Sequence, residues 1–313
     1  MKNILVTGAF GLVGSDLVLA LQKKYGKQKV ICLGHHNIRK EFDGTLVTGD
    51  VTDKKTIKNI IDKYDIATVY HLAGILSAGS EKNPQLAWKV NYVALKNILD
   101  LAITRKFKIF WPSSIAAFGP TTPKDHTPQH TVLEPTTMYG VNKVSGELLC
   151  QYYYLKNGVD ARSLRYPGLL GYKAEPGAGT TEYAISIFYA ALKTKHFSCF
   201  LKKDSKLPMM YMEDAIKGTL QLMDTPAKKL TVRTSYNFAA FSFAPQELVT
   251  EIQKHIPDFT CEYNPDEHQK IADSWPRAID DSQARKDWGW KHSYGLAEMT
   301  ADMLKNIKII IFK

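Results

Sequence analysis

The chain holds 313 residues, 44% hydrophobic and 11% aromatic, enough to bury a large core as one large or two modest domains. Its 41 Lys and Arg exceed 31 Asp and Glu for a formal charge of +10, yet the basic residues are scattered through "LQKKYGKQK", "ITRKFK", "LKTKHF" and "LKKDSK", a pattern that argues against nucleic acid and for a solvated surface with anionic small ligands. Four widely spaced cysteines without a C-x-x-C pair, no apolar run near the ~20 residues of a membrane span and no signal-like start argue against a disulfide scaffold, a metal site and a membrane anchor, so a cytoplasmic setting is expected.

In chain order, "KNILVTG" reads as a strand, "GLVGSDLVLALQKKYG" as a helix ending at Gly26, "QKVICL" and "TLVTGDV" as strands, "KKTIKNIIDKY" as a helix and "ATVYHLAG" as a strand. Helix "NPQLAWKVNYVALKNILDLAITRK", strand "KIFWPSS", a helix beginning near Tyr139 and strand "DARSLRYPG" continue the alternation. The pattern predicts an α/β fold, a Rossmann-type doubly wound parallel sheet with ligands at its strand C-termini. Past Gly168 the regularity breaks in the Gly- and Pro-rich "LLGYKAEPGAGTTEYA", and a smaller C-terminal α+β substrate lobe is expected. The boundaries are drawn at 1–168 with part of 209–240 for the dinucleotide-binding domain, and at 169–208 with 241–313 for the lobe.

"TGAFGLVG" sets Gly8, Gly11 and Gly14 between the first strand and the first helix, where glycines let a pyrophosphate approach the backbone N–H groups of a helix N-terminus. Phe10, Leu12 and Val13 belong to the same cofactor loop. Further on, "GDV" brings Asp50 and Val51 toward an adenine, and "HLAG" brings Leu72, Ala73 and Gly74 toward pyrophosphate and ribose, with His71 read as a packed strand residue. An acid about 20 residues past the glycines, the usual ribose ligand, is missing: the place reads "LGHHNIRK". The Asn37 amide suits a ribose hydroxyl, while His36, Arg39 and Lys40 suit a 2′-phosphate, so NAD is expected and NADP stays open.

"TTMYGVNKVSGE" places Tyr139 and Lys143 one helical turn apart. A free phenol titrates near about 10, and an ammonium beside it, with the positive charge of an oxidised nicotinamide, favours the phenolate. Tyr139 thereby becomes a general base, and Lys143 can also hold ribose hydroxyls. "FWPSSIAAFG" adds a strand-end hydroxyl for the substrate oxygen; Ser114 is chosen over Ser113 from its place relative to Phe118-Gly119. Together these residues point to hydride transfer at an alcohol or carbonyl carbon.

With these motifs in place, the chain resembles the extended short-chain dehydrogenase/reductase family along nearly its whole length, and within it the short-chain type of L-threonine 3-dehydrogenase. The stretches that carry the likeness are "LSAGSEKNPQLAW", "FWPSSIAAFGPTTP", "RYPGLL", "PGAGTTEYA", "LPMMYMEDAI" and "QKIADSWPRAIDDSQARKDWGW". The resemblance implies NAD-dependent oxidation of the L-threonine β-hydroxyl to 2-amino-3-ketobutyrate, with Tyr139 as base, Ser114 as its partner and Lys143 as ribose anchor. It further implies Tyr166 and Pro167 at the cofactor, Ser77, Thr180 and Thr181 at the amino acid, threonine catabolism as the setting and a homodimer as the assembly. Two positions depart from the family pattern: "GHHN" stands where an aspartate ends the second strand, and Glu182 where an aspartate follows the double threonine. A nucleotide-sugar epimerase or dehydratase of the same fold, and a non-catalytic cofactor-binding regulator, are the competing readings. The short "PGAGTTEYA" loop speaks for a small substrate, and retention of Ser114, Tyr139 and Lys143 together speaks for turnover.

Overall fold

The computed structural model describes residues 2–35, 42–173, 177 and 179–312. Its strands are β1 (Asn3–Thr7), β2 (Val30–Gly34), β3 (Thr45–Thr48), β4 (Ile66–His71), β5 (Lys108–Ser114), β6 (Ala161–Tyr166), β7 (Gly168–Leu170), β8 (His196–Cys199), β9 (Leu207–Tyr211), β10 (Tyr236–Asn237), β11 (Phe241–Phe243) and β12 (Thr260–Tyr263). The helices are α1 (Leu12–Tyr25), α2 (Lys54–Lys63), α3 (Ser77–Lys82), α4 (Pro84–Trp88), α5 (Ala94–Arg105), α6 (Met138–Asn157), α7 (Tyr183–Lys193), α8 (Met212–Asp224), α9 (Pro245–Gln253), α10 (His268–Ser274), α11 (Ser282–Trp288) and α12 (Leu296–Ile311). None is long and apolar enough to cross a membrane among the described residues.

The main sheet has the order β3-β2-β1-β4-β5-β6-β10, with β1 parallel to β2 and β4, β2 parallel to β3 and β4 parallel to β5. This is the expected doubly wound α/β arrangement. Strand order reverses between β1 and β4, which opens a crevice at their C-terminal ends, where Thr7 pairs in register with His71.

Two compact units divide the chain. The first comprises Met1–Ala117, Pro135–Arg165 and Thr219–Tyr236. Strands β1 and β2 are almost wholly buried, and on one face of the sheet Leu5, Ile31, Val69 and Ile109 meet Leu95, Ile98 and Leu99 of α5, and Ile57, Ile60 and Ile61 of α2. Full burial of each such side chain contributes ~1.5–3 kcal/mol. Asp53 caps α2 by accepting from the Lys55 N–H at 2.9 Å. Thr137 caps α6 in the same way, its hydroxyl accepting from the Gly140 N–H at 3.1 Å, and so fixes where Tyr139 starts the helix. α6 lies close on β5 because residue 146 is glycine: a Cβ there would run into the six-membered ring of the buried Trp111.

The second unit comprises Phe118–Glu134, Tyr166–Gly218 and Asn237–Lys313. It holds a three-stranded sheet, β11-β9-β7, and a parallel pair, β8 with β12. Phe238 and Trp290 pack with ring centroids 4.4 Å apart, and the indole N–H donates to the Ala239 carbonyl at 3.0 Å. Trp275 is buried here as well.

Candidate active site

The glycine loop makes a turn that side chains would block. Gly8 has φ +66°, and a Cβ there would lie 2.6 Å from the Ala73 nitrogen. A Cβ on Gly14 would collide with the Gly8 carbonyl oxygen. The loop therefore closes directly onto the end of β4, and α1 begins with no side-chain cap and no acid in its first turn. Its leading N–H groups are free to meet an anion.

Above this turn runs a cleft of about 610 Å³. Gly8, Phe10, Gly11, Asp50, Val51, Ala73 and Gly74, all named from the sequence, line it. Leu12 and Val13 open α1. Gly14 sits beneath Gly8, and the Leu72 backbone packs against Gly8. Asn37 lies outside the described residues. The cleft also takes in His35, Thr52, Ile75, Leu86 and Lys89, which no motif announced. Asp50 is the acid of this lining among the described residues; the Thr52 N–H bonded to it at 2.8 Å holds its pKa below the usual carboxylate range, with His35 and Lys89 adding to the effect. The donors at the glycine turn and the volume and lining of the cleft fit a dinucleotide, with the pyrophosphate over α1.

At the switch point the Thr7 hydroxyl meets His71 Nδ1 at 2.8 Å and accepts from the Ala73 N–H at 3.2 Å. Burial drives the His71 pKa down to about 3, so the ring stays neutral. His71 is a packed strand residue that also braces the loop carrying Ala73 and Gly74.

β5 and α6 bring Ser114, Tyr139 and Lys143 together. The two serines at the end of β5 divide their work: Ser113 donates to a carboxylate oxygen of Glu147 at 2.6 Å, while the Ser114 hydroxyl accepts from the Ala116 N–H at 3.2 Å and lies near enough to Tyr139 to favour its phenolate. Burial pushes the Tyr139 phenol up to about 12, against the opposing pull of the nearby Ser114 hydroxyl. Lys143 donates to the Pro112 carbonyl at 2.6 Å, with its ammonium 4.5 Å from the Trp111 ring centre and 5.2 Å from that of Tyr139. Burial brings its pKa down to about 7, and Glu147 opposes that fall.

Three residues missed at the sequence level support this cluster. A π-helical turn, Lys89–Val93, joins α4 to α5 and points Asn91 inward. The Asn91 side chain accepts from the Ile75 N–H at 2.7 Å, donates to the Ile75 carbonyl at 3.0 Å and donates to Asn142 of α6 at 3.2 Å. Glu147 and Arg165 form a fully buried ion pair, Nη2 to Oε2 at 2.7 Å. The only signal for Glu147 was its spacing of four from Lys143, which puts it on the same helix face. Ser77 is buried at the start of α3.

Tyr166, Pro167, Thr180 and Thr181 belong to the second unit. Tyr166 and Pro167 are buried, the Tyr166 ring lying 5.8 Å from Phe238. Thr181 packs its methyl over Gly168, and the buried Thr180 hydroxyl has no partner. Glu182 is buried too, accepts from the Gly177 N–H at 3.1 Å and has its pKa raised by burial.

The chain matches relatives over nearly all its length. It is 46% identical to an uncharacterized epimerase/dehydratase of Staphylococcus haemolyticus, covering 98% of both chains. It is 44% identical to the mitochondrial L-threonine 3-dehydrogenase of Bos taurus, covering 97% of this chain and 82% of that one. Among solved structures, the GalE-like L-threonine dehydrogenase of Cupriavidus necator in its holo form superposes with a TM-score of 0.96 at 49% identity, covering 98% of this chain and 100% of that one. Residues 4–239 match the model of the NAD dependent epimerase/dehydratase family. With a dinucleotide cleft over a glycine turn and a Ser-Tyr-Lys cluster at the end of β5, the chain belongs to the NAD dependent epimerase/dehydratase family, an enzyme fold that works with a nicotinamide cofactor.

Proposed function

We propose that the chain is an NAD-dependent L-threonine 3-dehydrogenase, oxidising the β-hydroxyl of L-threonine to 2-amino-3-ketobutyrate. The observation that carries this reading is the cluster of Ser114 beside Tyr139 with the Lys143 ammonium 5.2 Å from the Tyr139 ring centre, one turn further along α6. The cleft over the glycine turn would hold NAD+, whose nicotinamide would supply the acceptor for the β-carbon hydride. Ser114 and Tyr139 hold the substrate oxygen between them, and the Tyr139 oxygen, as phenolate, accepts the hydroxyl proton as the carbonyl forms. Lys143 spends one N–H on the Pro112 carbonyl, which leaves two donors for ribose hydroxyls. The unpartnered Thr180 hydroxyl and its neighbour Thr181 are assigned to the amino acid, and Ser77 with them. Tyr166 and Pro167 are assigned to the cofactor. Asp50, the acid of the cleft lining among the described residues, supports NAD over NADP. The same reading takes a homodimer in the cytoplasm, with an apolar stripe on α6, Val141, Leu148, Tyr152 and Leu155, as the face that meets a second copy.

The test is NADH formation by purified protein with L-threonine and NAD+, run beside NADP+, L-serine and UDP-galactose. Reduction of NAD+ with L-threonine alone is the expected result. Conversion of UDP-galactose without net NADH would replace the dehydrogenase by an epimerase built on the same residues.

A further inference from the structure

We infer that Glu147, clamped by Arg165 and Ser113, is a positioning residue whose carboxylate supplies the counter-charge that keeps Lys143 an ammonium inside the protein. Both carboxylate oxygens are engaged: Oε1 accepts from the Ser113 hydroxyl at 2.6 Å and from Arg165 Nε at 2.9 Å, and Oε2 accepts from Arg165 Nη2 at 2.7 Å. The Glu147 side chain is 1% exposed and that of Arg165 3%. Stability alone is a poor reason for such a pair, since well-packed apolar side chains of similar volume usually stabilise as much or more. Its position gives a better one. Glu147 stands one turn past Lys143 on α6, and the clamp ties it to β5 through Ser113 and to β6 through Arg165, the strand end and helix that together carry Ser114, Tyr139 and Lys143.

The groups that face Lys143 leave Glu147 as the anion acting on it. From α6 come Tyr139, Glu147 and the Cys150 thiol, and from β4 comes His71. Burial holds the phenol and the thiol protonated, each near about 12, and the imidazole uncharged. Arg165 is committed to Glu147 in a bidentate fork, which fixes the carboxylate and moderates its field. With the carboxylate in place this buried lysine titrates at about 7; without it the proton is shed at still lower pH, and a neutral amine neither favours a phenolate at Tyr139 nor holds ribose hydroxyls as firmly.

The consequence for turnover rests on the dehydrogenase reading, but the test does not. The titration of Lys143 is followed by 13Cε NMR in lysine-labelled protein without threonine, its signal identified by loss in Lys143→Arg. Glu147→Gln, and the double variant Glu147→Gln with Arg165→Met that leaves no unpaired buried ion, are expected to lower the Lys143 midpoint by at least about one pH unit, while Glu147→Asp keeps it near the parent value. NAD+ binding at neutral pH should weaken in parallel. An unmoved midpoint in the folded double variant, or failure of that variant to fold at all, would reduce the pair to a structural brace and overturn the inference. Absence of threonine oxidation in the parent protein would instead sink the proposed function and leave the Lys143 titration untouched.

Discussion

Ser113 donates its hydroxyl to Glu147 at 2.6 Å while the adjacent Ser114 lies beside Tyr139, so two neighbouring serines at one strand end serve two different turns of α6. Ser114→Ala and Tyr139→Phe are expected to lower kcat by about 100-fold or more, the lower range for loss of general-base chemistry, with NAD+ binding little changed. Ser113→Ala should act on stability instead, costing ~1.5–3 kcal/mol as a buried hydrogen bond to a charged group is lost. Steady-state kinetics beside chemical denaturation of all three variants separates the two serines; near-parental turnover in Tyr139→Phe would falsify the mechanism.

The pH dependence follows from two opposite shifts. The Tyr139 phenol is pushed up to about 12, so the phenolate is scarce at neutral pH and kcat should climb with pH, by up to about tenfold per unit on the acid side. Lys143 is pulled down to about 7, so its ammonium is lost above neutrality and NAD+ affinity should fall there. The same lysine bears on stability. Its folded pKa lies below the unfolded value, so between the two the unfolded chain binds more protons, and this group's contribution to stability rises as pH increases from about 7 toward the ordinary lysine value. Binding titrations and denaturation curves at pH 6 to 9, a window chosen around about 7, check both directions.

Gly14→Ala places a methyl group against the Gly8 carbonyl, where backbone rather than a flexible side chain would have to yield. Overpacking of this kind costs ~1–3 kcal/mol. The turn over α1 should open, weakening NAD+ at least about tenfold, the equivalent of ~1.4 kcal/mol. Calorimetric titration with NAD+ measures it, and parental affinity in the variant would remove the pyrophosphate from this turn.

Leu148, Tyr152 and Leu155 are 56%, 55% and 67% exposed along one face of α6. Spaced at helical intervals, they make an apolar stripe unusual for a solvated helix. Changing Leu148 and Leu155 to Lys is expected to convert a dimer into a monomer by light scattering, with the melting temperature becoming independent of protein concentration. A parent protein that is already monomeric would refute the homodimer.

What could be read in the sequence was local. The glycine loop is legible because its turn, strand and helix are contiguous, and Tyr139 with Lys143 because helical periodicity alone puts them on one face. Ser114 could be placed at a strand end, but not its separation from Ser113, which depends on a carboxylate 34 residues from Ser113. Glu147 and Arg165 sit on different elements and have meaning only once α6 lies against β5 and β6. Asn91 was hidden for another reason. Its inward direction depends on a π turn, and the extra residue in that turn breaks the regular spacing by which buried helix positions are recognised.

The absence of a side chain at position 146 leaves Trp111 enclosed beside α6, with the Lys143 ammonium 4.5 Å from its ring centre. An indole so placed is an optical reporter built into the reaction centre. Its emission senses the electric charge next to it, so discharge of that lysine, or the arrival of a cationic nicotinamide nearby, would register as a change in fluorescence without any label being attached.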